Sequence, residues 1–214
     1  MPYDIEASTD NCYEGTTCLI NKLDIRDEEE LASVEAALTL ANIGLLEQEP
    51  LEGHFDFAHY CAIHKFLFEE LYEWAGEIRT VNLSKKGTQF VPVDEIEQVG
   101  NAIFNRLAEM KFFCNDGFDD FIEHITEFYC DTNRLHPFRE GNGRTQRVFL
   151  TQLIRHAGYD IDFGNVDMDE LMIATIHAAN GVTDYVDRIF RESIQRDSLT
   201  NLNQNGKLFL SPYN

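Results

Sequence analysis

Apolar residues recur at three- and four-residue spacing along nearly the whole chain, and this limits the possible folds more than any other feature. Leu31, Val34, Leu38, Leu40 and Ile43 form one stripe, opened by Asp27-Glu28-Glu29-Glu30 and closed near Gly44. Acidic residues favour the positive end of a helix, so this reads as a first helix. A second spans about Asp56 to Trp74, with Phe57, Tyr60, Ile63, Phe66, Leu67 and Leu71 inward. A third starts near Asp94 and carries Ile96, Val99, Ile103, Leu107 and Met110. The fourth, from about Phe118 to Asn133, carries Phe121, Ile122, Ile125 and Phe128. A fifth begins at Asn142 or Gly143, carries Val148, Phe149, Leu153 and Ile154, and ends at Gly158, a residue suited to the position after a helix. Asp167 is suited to cap a last pair of helices reaching Ile194. Stripes of this kind are buried only by packing helix on helix, which predicts an all-α domain.

One segment breaks the pattern. Val81, Leu83, Phe90 and Val91 flank a polar tip containing Gly87, which predicts a short β-hairpin within Arg79–Pro92. The tail from Gln195 is polar except at Leu208–Leu210. The expected division is a lead segment over 1–20, one domain over 21–194 and a tail over 195–214. With 43% hydrophobic and 12% aromatic residues, 214 residues suffice for one real core.

Net charge narrows the partners. At −21 the surface repels nucleic-acid phosphate, so no nucleic-acid partner is expected. Five cysteines, Cys12, Cys18, Cys61, Cys114 and Cys130, form no CxxC pair and read as free thiols of a reducing compartment. With no apolar run of membrane-spanning length and no leader pattern at the start, the expectation is a cytoplasmic protein without a membrane partner. Delivery into another cell would leave no mark in the sequence.

The chemistry concentrates in twelve residues, His136-Pro137-Phe138-Arg139-Glu140-Gly141-Asn142-Gly143-Arg144-Thr145-Gln146-Arg147. Gly141-Asn142-Gly143 stands at a helix entrance. Glycines let successive amides turn to one side, and the helix start adds unpaired donors and a positive dipole end. Arg144 and Arg147, at i and i+3, share a face and offer planar forks to phosphate oxygens. Glu140 is a hard oxygen donor beside this cradle, suited to a nucleotide-borne Mg²⁺. His136 ends the preceding helix and titrates near neutrality, so it is the candidate general base. Pro137 stops that helix, and Phe138 is placed to anchor the loop in the core. Taken singly, a helix-end histidine is usually structural, GxG is usually a turn, and two such arginines usually make surface ion pairs. Their conjunction in twelve residues is what ordinary packing does not explain.

The stretch resembles the signature of the Fic family, His-Pro-Phe-x-Asp/Glu-Gly-Asn-Gly-Arg-x-x-Arg, with every defining position filled. Supporting similarity covers about residues 20–192, including Asn21-Lys22-Leu23 and Tyr72-Glu73-Trp74-Ala75-Gly76-Glu77-Ile78-Arg79. The resemblance implies a compact all-α bundle with one small β-hairpin flap over 80–92. It implies transfer of AMP from ATP to a Tyr, Thr or Ser hydroxyl of a target protein, releasing pyrophosphate. His136 would be the base, and Glu140 would hold Mg²⁺. Gly141, Asn142 and Gly143 would stabilise charge on the phosphoryl oxygens, and Arg144 and Arg147 would bind the outer phosphates. Lys86, Gly87, Thr88 and Gln89 of the flap would cover the nucleotide, with the target bound along the hairpin as an added strand. A merely structural hairpin is the rival account of the flap. Asn180 aligns loosely with a family adenine contact, although an Asn-Gly pair ending a helix accounts for it better. Self-modification, at Tyr13 or Tyr213 by position, and self-association are left open.

Family members are often restrained by a helix carrying Ser/Thr-x-x-x-Glu-Gly/Asn, whose glutamate pairs with the second motif arginine, here Arg147. The first helix, over 28–44, has the matching position but not the motif. Ala32 and Ala36 stand at the spacing of Ser and Glu, and Glu35 is preceded four residues earlier by Leu31. Neighbouring helix positions differ by about 100°, so Glu35 and residue 36 cannot both face Arg147. The favoured reading is that Ala32 and Ala36 leave Arg147 unrestrained and that Glu35 is an exposed helix glutamate. Glu35 as the inhibitor is the alternative. Three other functions compete: transfer of UMP or GMP, Doc-like phosphotransfer, and removal of AMP. Doc-like proteins carry Lys where Gly143 stands. A non-catalytic nucleotide-sensing or partner-binding module is the rival from another class, and such a module has no use for the base.

Overall fold

A computed structural model describes residues 11–85 and 88–196. Among the described residues seven helices carry the fold: α1 (Glu28–Gln48), α2 (Phe57–Phe68), α3 (Ile96–Glu109), α4 (Phe118–Leu135), α5 (Asn142–His156), α6 (Met168–Ala179) and α7 (Asp184–Ser193). Two antiparallel ribbons accompany them. Strand β1 (Ser84–Lys85) pairs with β2 (Thr88–Gln89), and β3 (Tyr159–Asp160) pairs with β4 (Gln195–Arg196). The second ribbon is a departure from the one hairpin expected, and it shows that the tail does not begin as an unpaired segment. Residues 197–214, with Tyr213 and the Leu208–Leu210 patch, lie outside the described residues, as do residues 86–87 of the hairpin tip.

Side-chain caps set three of the helix starts. Asp27 accepts from the Glu30 amide, Asp56 from that of His59, and Asp167 from those of Asp169 and Glu170. α1 runs past Gly44 to Gln48, where the expected stop does not occur. α2 ends at Phe68, short of the expected end at Trp74, although Leu71, Tyr72 and Trp74 prolong its apolar spacing. Beyond it Gly76 adopts φ +85 and packs so close to α2 that a Cβ would meet Lys65 Cβ at 2.8 Å. Tyr72 and Trp74 then stack on each other at 4.3 Å.

α5 lies against α2 and α4, α1 packs on α2, and α6 and α7 pack on each other and on α4. Between them sits an aromatic core in which Tyr60, Phe68, Phe104, Phe121, Phe138 and Phe149 are fully buried. At about 25 cal/mol per Å² of apolar surface removed from water, each such ring contributes a few kcal/mol before the entropy of ordering it. Among the described residues no helix is long and apolar enough to cross a membrane. All five cysteines are free.

Candidate active site

α4 ends at Leu135, and His136 takes a left-handed conformation, φ 44 and ψ 58. That geometry is rare outside glycine, and holding it costs on the order of 1–3 kcal/mol. It throws the chain into the loop joining α4 to α5 instead of another helical turn. Phe138 fixes the loop from below: its ring stacks on His64 at 3.8 Å and on Tyr60 at 5.6 Å. Asn142 closes the loop from its other end. Its Oδ1 accepts from the Phe138 amide at 2.9 Å, and its Nδ2 donates to the Phe138 carbonyl at 2.7 Å. The Asn142 side chain therefore shapes the loop, and the residue also lines the cavity described below.

His64 is the hidden support of this loop. Its Nδ1 accepts from the Gly76 amide at 2.8 Å and its Nε2 lies 3.0 Å from the Glu140 carbonyl. An amide can only donate and a carbonyl only accept, so the ring is neutral with its proton on Nε2. Burial pushes its pKa down to about 4, in keeping with that assignment.

Gly141, at φ +79, opens α5, and no side chain caps the helix. A Cβ at Gly141 would lie 2.3 Å from Cζ of Phe68, so only glycine fits. The uncapped amides at the start of α5 thus remain available as anion donors. They border a cavity of about 300 Å³ lined in part by Phe90, His136, Asn142, Gly143 and Arg147. His136 is itself mostly buried. Its ring stacks on Phe90 at 3.7 Å, nearly parallel, and its Nδ1 lies 3.3 Å from the Asn133 carbonyl. A carbonyl accepts only, so that contact favours the tautomer protonated on Nδ1 and puts the basic lone pair on Nε2.

The two arginines take different surroundings. Arg147 lines the cavity, and among the described residues it pairs with no carboxylate. Burial, then the neighbouring Arg144 charge, lowers its pKa against the opposing effect of Tyr129. Arg144 turns toward α1 instead. Its Nη2 pairs with Glu35, its Nη1 reaches Thr39 Oγ1 at 3.3 Å, and its guanidinium lies 4.8 Å over the Phe68 ring. Tyr72 donates its hydroxyl to the second oxygen of Glu35. Glu35 is only 8% exposed, so it is not the solvated helix residue expected, and its partner is Arg144, not Arg147. Ala32 and Ala36 face solvent on the far side of α1 and cannot mark the positions of side chains aimed at the site.

Glu140 sits at the lip of this arrangement. Its Oε1 accepts from the Gly141 amide at 2.8 Å and lies 3.6 Å from Arg144 Nη2. Among the described residues no group of three or more His, Cys, Asp or Glu could hold a metal. A single partly exposed carboxylate beside uncapped amides does fit Mg²⁺ that takes its remaining ligands from phosphates and water.

Of the flap, Thr88 and Gln89 lie on β2, paired with Lys85 and Ser84; Lys86 and Gly87 lie outside the described residues. Asn180 is exposed, caps its own helix through Nδ2 to the Ile176 carbonyl at 2.9 Å, and does not line the cavity. Sequence reasoning missed the opposite wall, Met168, Leu171, Met172, Ile176 and Ala179 of α6. The signal was present: the apolar residues of Met168–Ala179 go round more of the helix than packing on one side requires. Thr175 Oγ1 lies 2.8 Å from the Tyr129 hydroxyl and ties that wall to α4, and Gln146 Nε2 donates to the Tyr129 carbonyl at 2.8 Å.

The Fic/DOC family model matches residues 54–154. A probable protein adenylyltransferase of Sinorhizobium fredii is 37% identical over 172 residues, covering 79% of this chain and 88% of its own length. One of Salmonella typhimurium is 32% identical over 182 residues, covering 85% of this chain and 90% of itself. A protein adenylyltransferase of Bartonella schoenbuchensis is 35% identical over 179 residues, though the match spans only 37% of its length. Among solved structures, an N-terminal Fic domain from Bartonella quintana with bound ADP superposes with a TM-score of 0.85 at 26% identity, over 91% of this chain and 98% of its own. A Bartonella tribocorum effector with bound AMPPNP gives 0.82 at 25% identity, over 89% and 98%.

Proposed function

The chain belongs to the Fic/DOC family, and on that premise we propose that it is a protein adenylyltransferase, moving AMP from ATP to a side-chain hydroxyl of a protein. The observation that carries this reading is the convergence of His136, the open start of α5 and Arg147 on one cavity with an apolar far wall. Nε2 of His136 takes the proton of the target hydroxyl. The resulting oxygen forms a bond to the α-phosphorus as the bond from that phosphorus to the bridging oxygen breaks, and pyrophosphate leaves. The amides at Asn142 and Gly143 stabilise charge on the phosphoryl oxygens, and Arg147 binds an outer phosphate. Glu140 would hold Mg²⁺, which would supply neutralising charge to the phosphates. The wall of α6 takes the apolar base face, and the flap offers its edge to an extended target segment.

Gly143 favours AMP transfer over phosphotransfer. A Cβ there would stand 3.3 Å from Nη1 of Arg147, so a lysine side chain would have to share the mouth of the cradle with that guanidinium. The reading is tested by incubating the protein and a lysate with ATP labelled on either the α- or the γ-phosphorus. Compared with lysate alone, added protein is expected to raise label from the α position only. A rise in γ label on adding the protein would establish phosphotransfer instead, and bound but unreacted ATP would establish a sensor.

A further inference from the structure

Arg79 closes the Tyr72–Arg79 segment and has no part in the chemistry above, yet it is only 4% exposed. Its guanidinium reaches three carbonyls belonging to three stretches of chain. Nε donates to His136 O at 2.8 Å, Nη1 to Val81 O at 2.6 Å, and Nη2 to Val91 O at 2.5 Å. Its own amide donates to Pro137 O at 2.9 Å. Val81 leads into β1 and Val91 follows β2, so two of these carbonyls are the feet of the flap. The other two belong to the strained turn that carries the base.

A buried cation normally sits beside a carboxylate, because desolvation penalises an uncompensated charge. Here the acceptors are carbonyls, and burial pushes the guanidinium down to about 10. An apolar side chain of similar volume would leave three buried carbonyls without this donor, at about 1–3 kcal/mol each. What the planar fork supplies is three fixed directions at once.

Resting on the adenylyltransferase reading, we propose that Arg79 is a positioning residue that locks the His136 turn and both feet of the flap into one body, setting the spacing between the base and the cover it works beneath. Phe90, which follows β2 and stacks on the His136 ring, is the second tie between the same two parts. Loss of the fork then lets the imidazole and the flap drift independently, which harms the in-line geometry of transfer more than the binding of nucleotide.

Arg79→Lys keeps the charge but cannot reach three carbonyls in different directions. In the full chain it is expected to lower kcat by about 10- to 100-fold with KM for ATP within about twofold of the parent. Methylguanidinium in the low millimolar range is expected to restore part of the activity of Arg79→Ala. A parental kcat in Arg79→Lys overturns the proposal. So does a loss accounted for entirely by the unfolded fraction in thermal melts. Two readouts need no turnover: the His136 imidazole resonances and the exchange rate of the Phe90 amide, which donates to Leu83 O. Both are expected to change in Arg79→Lys, and unchanged values overturn the coupling. If the parent transfers no AMP, the functional reading falls while these two readouts still decide the role of Arg79.

Discussion

His136, the proposed base, is held in a conformation that few residues tolerate. Its base role predicts that His136→Ala lowers AMP transfer by about 10²–10⁴-fold, with nucleotide binding unchanged by calorimetry. Equal rates in mutant and parent would remove His136 from the mechanism. His64 predicts a pH effect. Its folded pKa, about 4, lies below the unfolded value of 6.5, so the unfolded chain binds the proton first. Stability from this group is complete above pH 6.5 and is lost as pH falls toward 4. Between about pH 7.5 and 5 the loss is about 2 kcal/mol, or roughly 4–8 °C in Tm. His59 and His156 are lowered by burial and add in the same direction. The pH slope of Tm in His64→Gln is therefore expected to be shallower but not flat; an unchanged slope refutes the assignment. Glu35 predicts a stability effect without activation. Glu35→Ala strands Arg144 and Tyr72 and should cost about 1–3 kcal/mol in urea melts. A many-fold rise in transfer would show instead that Glu35 restrains catalysis.

The working element is the loop between α4 and α5, gripped from both sides. Phe138 and His64 fix its floor, Asn142 staples its ends, and Phe68 seals the space where a Cβ at Gly141 would sit. Two separate penalties meet at that glycine, a left-handed backbone and a collision with a buried ring. Gly141→Ala is accordingly expected to lose about 2–5 kcal/mol of stability together with nearly all transfer activity. Parental Tm in that variant would mean that the loop can relax away from Phe68. The arginines show how an element divides labour that spacing alone assigns jointly. Positions i and i+3 share a face only broadly, and Glu35 on α1 draws Arg144 to the outer edge while Arg147 stays with the cavity.

At the scale of the molecule, a charge of −21 raises the energy of the compact state through self-repulsion. Ion pairs such as Lys22–Glu73 and Arg188–Glu170 are exposed and contribute little each. Screening should therefore relieve more repulsion than it removes attraction. Tm is expected to rise by a few degrees between low salt and about 0.3 M NaCl, and a fall would mean that the ion pairs dominate.

The helical fold and the chemical stretch were legible because their determinants are local. Stripe spacing, Asp27, Asp56 and Asp167 as caps, and the run from His136 to Arg147 depend on near neighbours in the chain. The early end of α2, the pairing of β3 with β4, the partner of Glu35 and the carbonyls held by Arg79 depend on groups brought together by the fold. Asn180 has two readings for the same reason, since whether a helix-end amide reaches a cavity depends on how α6 sits on α4; exposed and bonded to the Ile176 carbonyl, it follows the helix-terminating one. Near-neighbour chemistry sets the helices, the turn between α4 and α5 and the residue types able to handle a phosphate. Which of those side chains face the cavity, and which are spent holding it open, follows from packing between distant elements. Burial makes every unpaired charge costly, and that forces Arg144, Glu35 and Arg79 to find partners the linear order does not reveal.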